Sequence, residues 1–296
     1  MLIENEQLPM ADHTDLRLSS DRFGRNQVVV LEPDHPGFRD QQYRARRNQI
    51  AALSLRYVPG GPIPDVEYTE EEHAVWRAVW QALAPAHEVY ACAEYLNCAS
   101  RLKFLPDRIP QLSEVNHKVE VLSGFRLEPV AGLVEPRNFL DSLASGTFLC
   151  TQYIRHHSTP FYTPEPDVIH ELAGHAVTLA SPRLAELNRE FGRAVNRTKS
   201  PEAFERISRL YWFTIEFGVL LEAGKLKAYG TGLLSSAGEL AAMSSAELRP
   251  LDLEAASRQT YDPTRYQQVL FYAESFDAMY QMLQQYLAAC QDPEKN

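Results

Sequence analysis

The stretch HELAGH, residues 170–175, places two histidines five positions apart. In the metal-binding pattern H-E-x-x-H they are four apart, so on a helix that turns roughly 100° per residue they differ by about 40° and reach one metal. At five positions an ideal helix separates His170 and His175 by about 140°. Either the two side chains do not share a metal, or the helix is locally distorted, for which Gly174 is a suitable place.

A carboxylate further along the chain bears on the same question. Glu216 lies in LYWFTIEFGVLLE, residues 210–222, a run of aromatic and aliphatic side chains that predicts burial. A buried ionised carboxylate is costly unless a cation or strong donors meet it. A metal held by His170 and His175 would be such a partner, and two imidazoles with one carboxylate form the facial triad of non-haem Fe(II) oxygenases. A buried ion pair between Glu216 and an arginine remains the alternative.

Composition and charge narrow the class of partner. The chain has 296 residues, 45% of them hydrophobic, which is enough for a sizeable core. Its net charge of -10 argues against binding to nucleic acid or to an anionic membrane, so the expected partner is a small molecule. The four cysteines show no C-x-x-C pair, and the sequence has no signal peptide and no membrane-spanning run. These features predict a cytoplasmic protein with reduced thiols.

Hydrophobic periodicity predicts a mainly α-helical protein with small β elements. A loosely ordered leader of residues 1–30 should precede a helix over 43–57, which the loop PGGPIP at 59–64 follows. Thr69 is the predicted N-cap of the next helix, with solvated Glu70, Glu71 and Glu72 on its first turn. Further helices are predicted over 69–81, 87–98, 109–125 with Ser113 as a candidate cap, 166–191, 201–221 and 272–289, and strands over 125–132 and 146–156.

Several long motifs occur in a fixed order along the chain. They are RLEPVAGLVEPRNFL (126–140), CTQYIRH (150–156), FYTPEPDVIHELAGH (161–175), LYWFTIEFG (210–218) and KAYGTGLLSSAGEL (227–240). In this order they closely resemble the catalytic domain of the tetrahydropterin-dependent aromatic amino acid hydroxylases. The resemblance runs from LEPDHPGFRDQQYRARR at 31–47 to FYAESF at 271–276, and is nearer to the animal enzymes than to the compact bacterial ones.

This resemblance implies a single catalytic domain over residues 31–290, of the phenylalanine hydroxylase-like type, and assigns its cofactors. Fe(II) would be held by His170, His175 and Glu216. The second cofactor would be a tetrahydropterin, tetrahydrobiopterin or a related compound. The positions that match pterin neighbours, with Phe139 as the ring that stacks on the pterin, are Gly132, Val134, Phe139, Leu149 and Glu171.

The resemblance also assigns an amino acid pocket. Arg155 matches the arginine for the substrate carboxylate, a natural bidentate pair, and Trp212 can present an aromatic wall. The full set of matching positions is Arg155, Thr163, Pro166, Trp212, Gly232 and Ser235. Ser235 is also expected to support His170, and Asp167 and Tyr211 are expected supporting residues.

The implied reaction is hydroxylation of an aromatic amino acid ring with O2. Phenylalanine is the expected substrate, and tyrosine, tryptophan and meta-hydroxylation of phenylalanine stay open. Trp212 favours phenylalanine or tyrosine over tryptophan, because tryptophan hydroxylases usually carry Phe at this position. The chain departs from the family at three places. Leu149 stands where relatives usually carry a pterin-contacting His, Ala176–Thr178 where they commonly have a proline, and Pro263 in a loop, 261–267, that helps set amino acid preference.

Two other function classes remain as alternatives. A zinc-dependent hydrolase could use Glu171 as its base, although the histidine spacing does not suit it. A non-catalytic pterin- or amino acid-binding protein is favoured only by Leu149. The sequence also leads us to expect a monomer without a regulatory or tetramerisation domain.

Overall fold

A computed structural model of the chain describes residues 19–20, 26–27 and 29–290. The predicted leader, residues 1–30, lies almost entirely outside these described residues. Among the described helices, none combines the length and apolar character needed to cross a bilayer. The protein is mainly helical with small β elements, as the sequence predicts.

Twelve α-helices are described in residues 29–290: α1 Gln41–Leu55, α2 Glu70–Tyr90, α3 Ala93–Leu102, α4 Leu112–Ser123, α5 Pro136–Leu143, α6 Val177–Leu179, α7 Pro182–Arg197, α8 Pro201–Tyr211, α9 Thr231–Leu234, α10 Ala237–Ala242, α11 Leu253–Arg258 and α12 Phe276–Ala289. Two π-helical segments interrupt them, π1 at His170–Ala176 and π2 at Trp212–Glu216. A short 3-10 turn spans Met243–Ser245.

The described strands are β1 Ser19–Ser20, β2 Asn26–Gln27, β3 Arg126–Val130, β4 Thr147–Thr151, β5 Val219–Glu222, β6 Lys225–Ala228, β7 Glu247–Pro250 and β8 Val269–Ala273. Strands β3 and β4 form a parallel pair, in which Glu128 lies opposite Leu149. A second sheet has the order β6-β5-β8-β7, with only the β5–β6 pair antiparallel. Strands β1 and β2 pair antiparallel.

The start of α2 has the predicted capping chemistry. The Thr69 hydroxyl accepts from the Glu72 amide, and the Glu72 carboxylate accepts from the Thr69 amide, a reciprocal capping box. Glu72 is not a solvated charge, however, since it is buried and pairs with Arg46 at 2.8 Å. The acidic run therefore combines helix initiation with an ion pair to α1.

Helix boundaries around Pro85 and at the start of α4 differ from the predicted ones, and the helix predicted from residue 87 begins only at Ala93. Helix α2 continues to Tyr90 without a break, although Pro85 lies inside it, because Leu83 and His87 are buried against the core and hold its last turns. Helix α4 is capped at Gln111 rather than Ser113. In α2, the burial of Leu83 and His87 outweighs the cost of having Pro85 inside the helix.

The predicted helices over 201–221 and 272–289 are wrong at one end each. The first ends at Glu216, and Val219 begins β5. The second begins only at Phe276, capped by Ser275, because residues up to Ala273 belong to β8. Short apolar runs fit a buried strand as well as a buried helix, so periodicity alone does not separate the two. The strand predicted over 146–156 is limited to Thr147–Thr151.

Segment π1 lies at the centre of the helical core. Helices α4, α6 and α9 pack against it, and every residue from Glu171 to Ala176 is buried. Segment π2 follows α8 and packs against α9 and β8. This arrangement holds both π-helical segments rigidly beside one another, with α9 contacting both.

Candidate metal centre and flanking pockets

The histidine spacing of five is explained by the π-helical turn. A π-helix closes its hydrogen bonds from residue i to i+5 instead of i+4, so side chains five positions apart lie on the same side. In π1 the Nε2 atoms of His170 and His175 are 3.0 Å apart. The predicted local distortion of the helix is therefore confirmed.

Glu216 ends π2 and faces the two histidines. Its Oε1 lies 3.1 Å from His175 Nε2, and its Oε2 lies 3.8 Å from His170 Nε2. One ligand atom from each of the three residues falls within 4.8 Å of the others. Among the described residues no arginine pairs with Glu216, so the alternative of a buried arginine ion pair is wrong.

These distances fit one shared cation. Ligand atoms roughly 2.1 Å from a metal lie roughly 3 Å apart when they occupy neighbouring corners of an octahedron, and two of the three separations are 3.0 and 3.1 Å. His175 Nδ1 is buried and has no hydrogen-bond partner, so the ring is fixed by Phe148, 4.3 Å away between ring centroids, and by its Nε2 contacts. The donor set suits a divalent metal.

The electrostatics favour a neutral His170 and an ionised Glu216. Burial and the neighbouring His175 lower the pKa of His170 to about 4, which leaves the imidazole neutral. Burial opposes ionisation of Glu216, but His175, His170 and the Thr231 hydroxyl together lower its pKa to about 2. Neutral imidazoles and an ionised carboxylate are the forms that coordinate a metal.

Two hydroxyl groups on and beside α9 orient these side chains. The Ser235 hydroxyl donates to the Thr231 carbonyl at 2.8 Å, so its oxygen can accept from Nδ1 of His170 at 2.9 Å. That arrangement leaves the lone pair of His170 on Nε2, facing the cluster. The Thr231 hydroxyl donates to Glu216 Oε2 at 2.7 Å. Hydrogen bonds of this kind, to side chains that bind a metal, fix the orientation of those side chains.

A glycine is needed at position 174 because α9 lies very close to it, and not because its backbone angles are unusual. A Cβ at this position would lie 2.8 Å from the Thr231 carbonyl oxygen and 3.2 Å from the Thr231 Cβ. On the opposite side, the Tyr95 hydroxyl donates to the Ala173 carbonyl at 2.7 Å and so satisfies a backbone group of the π turn. The glycine lets the element that carries Thr231 and Ser235 reach the metal ligands.

We therefore expect Gly174→Ala to weaken metal binding as well as the fold. Overpacking in a core typically costs about 1–3 kcal/mol, and here the displaced group is Thr231, the partner of Glu216. Thermal unfolding of the metal-free protein measures the first effect, and metal titration the second. Gly132→Ala is the control for stability, because its Cβ would have no atom within 4 Å. Equal stability and metal affinity in the Gly174 variant and the parent would contradict this role.

Arg155 lies on the loop after β4 and is almost fully buried, with 6% of its surface exposed. Its Nε and Nη2 donate to the two carboxylate oxygens of Asp167 at 2.8 and 2.7 Å. Burial would raise the pKa of Asp167, but the Arg155 guanidinium and backbone donors hold it below its ordinary value. The remaining Nη1 makes only a long contact, 3.4 Å, to the Pro160 carbonyl. Asp167 therefore fixes the fork of Arg155 and leaves one edge of it for a further anion.

Thr163 and Pro166 lie on the loop between Arg155 and π1. The Thr163 hydroxyl donates to the Glu165 carbonyl at 2.6 Å. The Pro166 carbonyl accepts from the Tyr153 hydroxyl at 2.6 Å. These two hydrogen bonds to backbone carbonyls hold the loop that precedes π1 next to the metal ligands.

Trp212 forms an aromatic wall with the loop before β8. Its ring stacks on Tyr261, with centroids 4.0 Å apart and planes at 9°, and its Nε1 donates to Gln267 at 2.9 Å. It is partly buried, not a core residue, and its other neighbour is Phe217 at 4.6 Å. A Cβ on Gly232 would lie 2.6 Å from the Phe217 ring, so the glycine permits this packing. The loop 261–267 thus contacts the wall directly.

The positions expected to bind a pterin lie on π1 itself and on β4, α5 and the loop between β3 and α5. Phe139 on α5 packs edge-on against Phe148 at 5.3 Å, and Phe148 packs on His175, so aromatic rings lead from Phe139 to the metal cluster. Glu171 accepts from the backbone and hydroxyl of Thr151 at 3.1 and 2.9 Å. Burial raises the pKa of the Glu171 carboxyl to about 7, so both of its forms are accessible near neutrality.

The remaining expected neighbours lie at the edge of this region. Leu149 on β4 is half-buried, whereas Phe148 and Cys150 beside it are fully buried. Strand alternation places Leu149 on the side of Thr151, the partner of Glu171. Gly132 and Val134 lie in the loop between β3 and α5, partly exposed. Tyr211, a supporting residue expected from the sequence, is buried, and its hydroxyl donates to the Asn188 side chain at 3.1 Å.

Sequence reasoning did not assign roles to several residues that hold the site. They are Tyr95, Thr151, Thr231, Tyr261 and Gln267. Thr151 and Thr231 lie within motifs that carry the family resemblance, and Tyr261 and Gln267 lie in the loop 261–267, so these stretches were the available signals. Tyr95 acts through a contact between distant segments, which single-sequence patterns do not reveal.

The fold and this site belong to one protein class. A family model described as biopterin-dependent aromatic amino acid hydroxylase matches residues 20–295, and the chain belongs to this family. Among its relatives are human tyrosine 3-monooxygenase, 46% identical over 269 residues, covering 89% of this chain and 51% of that protein. Mouse phenylalanine-4-hydroxylase is 45% identical over 267 residues, covering 87% of this chain and 58% of that protein. The chain thus spans about half the length of these curated relatives.

Solved structures agree with this assignment. The chain is similar to phenylalanine hydroxylase from Legionella pneumophila, with a TM-score of 0.71 and 30% identity over 76% of this chain and 88% of that one. It is also similar to the phenylalanine hydroxylase of Chromobacterium violaceum with bound iron(III) and 7,8-dihydrobiopterin, with a TM-score of 0.69 and 30% identity over 76% and 85% of the two chains. The higher identities to the mammalian relatives are consistent with the predicted nearness to animal enzymes.

Proposed function

We propose that this protein is an Fe(II)- and tetrahydropterin-dependent monooxygenase that hydroxylates the ring of an aromatic amino acid with O2. The observation that carries the proposal is the convergence of His170, His175 and Glu216, brought within 4.8 Å of one another by two π-helical segments. Family membership supplies the reaction class. These three residues would hold the iron, which together with the pterin supplies the activation of O2.

The chain's own residues position the two organic molecules around this centre. The free edge of the Arg155 guanidinium would bind the substrate carboxylate, and Asp167 keeps the fork in place. Trp212 would contact the substrate ring. Phe139 on α5 would stack on the pterin, with Glu171 meeting its polar groups. Holding the reactants in a fixed geometry and keeping water from them would be the main contribution of the protein to the rate.

Phenylalanine is the proposed substrate. Trp212 supports it over tryptophan, and the similar solved structures are phenylalanine hydroxylases. Tyrosine is the second candidate, because the relatives include tyrosine 3-monooxygenases of comparable identity. The Trp212–Tyr261 stack ties this choice to the loop that carries Pro263.

One assay tests both the reaction class and the substrate. The protein is incubated with Fe(II), a tetrahydropterin and phenylalanine, tyrosine or tryptophan, and products are separated by ring position. We expect pterin- and iron-dependent formation of tyrosine from phenylalanine as the fastest reaction. Hydrolysis supported by zinc alone would favour a hydrolase, and tight pterin or amino acid binding without turnover would favour a binding protein; either result contradicts the proposal.

Leu149 allows a test of the pterin pocket. A leucine can pack against the pterin but makes no hydrogen bond, so Leu149→His should add one polar contact. A neutral hydrogen bond contributes about 0.5–1.5 kcal/mol, so we expect roughly two- to tenfold tighter tetrahydropterin binding or a higher ratio of product to oxidised pterin. Titration with pterin and measurement of that ratio check the expectation.

Leu149→Phe is the matched control, because it adds an aromatic ring without a hydrogen-bonding group. It should not reproduce the gain of the histidine variant. Unchanged affinity and coupling in Leu149→His would mean that the pocket is arranged differently around this position. A change in amino acid preference would place Leu149 in the other pocket.

A further inference from the structure

A second group of potential metal ligands lies outside the cluster of His170, His175 and Glu216. It consists of Asp40 before α1 and His156 and His157 on the loop after β4, with one ligand atom from each within 4.8 Å of the others. Three separate stretches of chain meet at this point, because Glu71 on the first turn of α2 also approaches it. Neither the proposed reaction nor its cofactors use these residues.

The Asp40 carboxylate is divided between two tasks. Its Oδ1 caps α1, accepting from the amides of Gln42 and Tyr43 at 2.8 and 2.9 Å. Its Oδ2 points to His156 and lies 3.3 Å from Nε2. For bonds of roughly 2.0–2.1 Å, two ligands of a tetrahedral metal are roughly 3.3 Å apart. The pair therefore already has the separation that a bound cation requires.

His156 is held in a fixed orientation. It is buried, with 7% of its surface exposed, and the Tyr43 ring packs edge-on against it at 4.9 Å. The Ser158 amide donates to His156 Nδ1 at 3.3 Å, and the Ser158 hydroxyl lies 2.7 Å from the same nitrogen. The neutral ring therefore carries its proton on Nε2 and donates to Asp40 Oδ2, and a cation that binds between these two atoms would replace that proton.

His157 and Glu71 form the solvent side of the group. The two imidazole rings lie 4.2 Å apart with planes at 32°, and His157 Nδ1 is 3.6 Å from Glu71 Oε1. Both outer side chains are exposed, which leaves room for a cation to enter and for water to complete its coordination. Two carboxylates carry a charge of -2 when the histidines are neutral, and a divalent cation would cancel it.

We propose that Asp40, His156 and His157 form an accessory site for a divalent transition metal such as Zn²⁺, with Glu71 or water as the fourth ligand. Imidazole and carboxylate donors in a roughly tetrahedral arrangement suit Zn²⁺, whereas Ca²⁺ and Mg²⁺ require oxygen ligands. A bound cation would join the starts of α1 and α2 to the segment that directly follows Arg155. The site is independent of the proposed function.

Equilibrium dialysis of the purified, untagged, metal-stripped chain against Zn²⁺ tests the site. The parent should bind two equivalents, one at His170, His175 and Glu216 and one at the accessory site. Replacing a residue that only orients a metal ligand weakens metal binding roughly 10- to 100-fold. The variant His157→Ala removes a ligand itself, so the affinity for the second equivalent of Zn²⁺ should fall by at least about tenfold. His117→Ala is the matched control, because His117 is exposed on α4 and distant in sequence from the group.

Asp40→Asn separates metal binding from the structural role of Asp40. Asparagine caps a helix as well as aspartate does, so α1 should keep its start and the protein its Tm, while the second equivalent weakens. His175→Ala should show the opposite pattern, with the accessory equivalent retained and the other lost. These two variants make failure of this site distinguishable from failure of the iron site.

Three results would overturn the proposal. The first is a parent that binds a single equivalent, which His175→Ala loses and Asp40→Asn retains. The second is a second equivalent that survives in both Asp40→Asn and His157→Ala with unchanged affinity. The third is an equal loss in His117→Ala, which would indicate binding spread over surface histidines.

Discussion

Replacing any one of His170, His175 and Glu216 by alanine is expected to abolish iron binding and turnover while the protein stays folded. Each residue supplies one of three donor atoms that lie within 4.8 Å of one another. Changes to residues that only orient a ligand cost roughly 10- to 100-fold in metal affinity or activity, so loss of a ligand should cost more. Turnover with Fe(II) and pterin, together with the iron content of the purified variants, measures the effect.

Thermal unfolding provides a readout that does not depend on turnover. Fe(II) at about 100 times its Kd should stabilise the parent by about 2.7 kcal/mol, roughly 5 °C in Tm for a chain of this size. The three ligand variants should lose this increase. Ser235→Ala, which removes only the partner of His170 Nδ1, should keep part of it. A ligand variant that retains iron and near-normal turnover would remove that residue from the ligand set.

The second large effect is expected at Arg155. Arg155→Lys should raise the KM for the amino acid roughly 10- to 100-fold with a smaller change in kcat, because a charged hydrogen bond contributes about 1.5–3 kcal/mol. A lysine retains the charge, but it cannot bind Asp167 and a substrate carboxylate with one planar fork. Steady-state kinetics across amino acid concentrations, with pterin saturating, measures KM and kcat separately.

Arg155→Ala by itself is a poor test, because it leaves the Asp167 carboxylate buried without its cation. Removing one partner of such a buried pair typically costs about 3–5 kcal/mol of stability. The double variant Arg155→Ala/Asp167→Asn removes both charges and is the matched control for folding. If the lysine variant and the double variant both bind the amino acid like the parent, another group holds its carboxylate.

The candidate metal site was predictable because its signals are chemical and local. Two histidines in one helical stretch and a carboxylate in an apolar run indicate a metal even before any family is considered. The pocket residues needed the family resemblance, since a tryptophan or an arginine has too many ordinary uses. Tyr95 was not predictable in either way, because its role arises where distant segments meet. Thr231 lies within a family motif, but its hydrogen bond to Glu216 is visible only in the structure.

The helical framework was predictable for a related reason, and its errors have a common cause. Capping at Thr69 and apolar periodicity mark where most helices lie. The predicted helices include most of β5 and the last two residues of β8, because such short apolar runs carry no period of their own. The continuation of α2 through Pro85 depends on tertiary packing, which outweighs local propensity.

The π turn at His170–Ala176 also sets the direction in which the later side chains of the same helix point. One extra residue in a helix rotates all later side chains by roughly 100°. Deleting Ala173 would create the spacing H-E-x-x-H and restore a regular helix, but it would also turn Val177–Leu179, all buried, away from their present neighbours. A change in ligand spacing would therefore require a new hydrophobic core at the same time. In this fold the distance between the two histidines and the packing behind them can change only together.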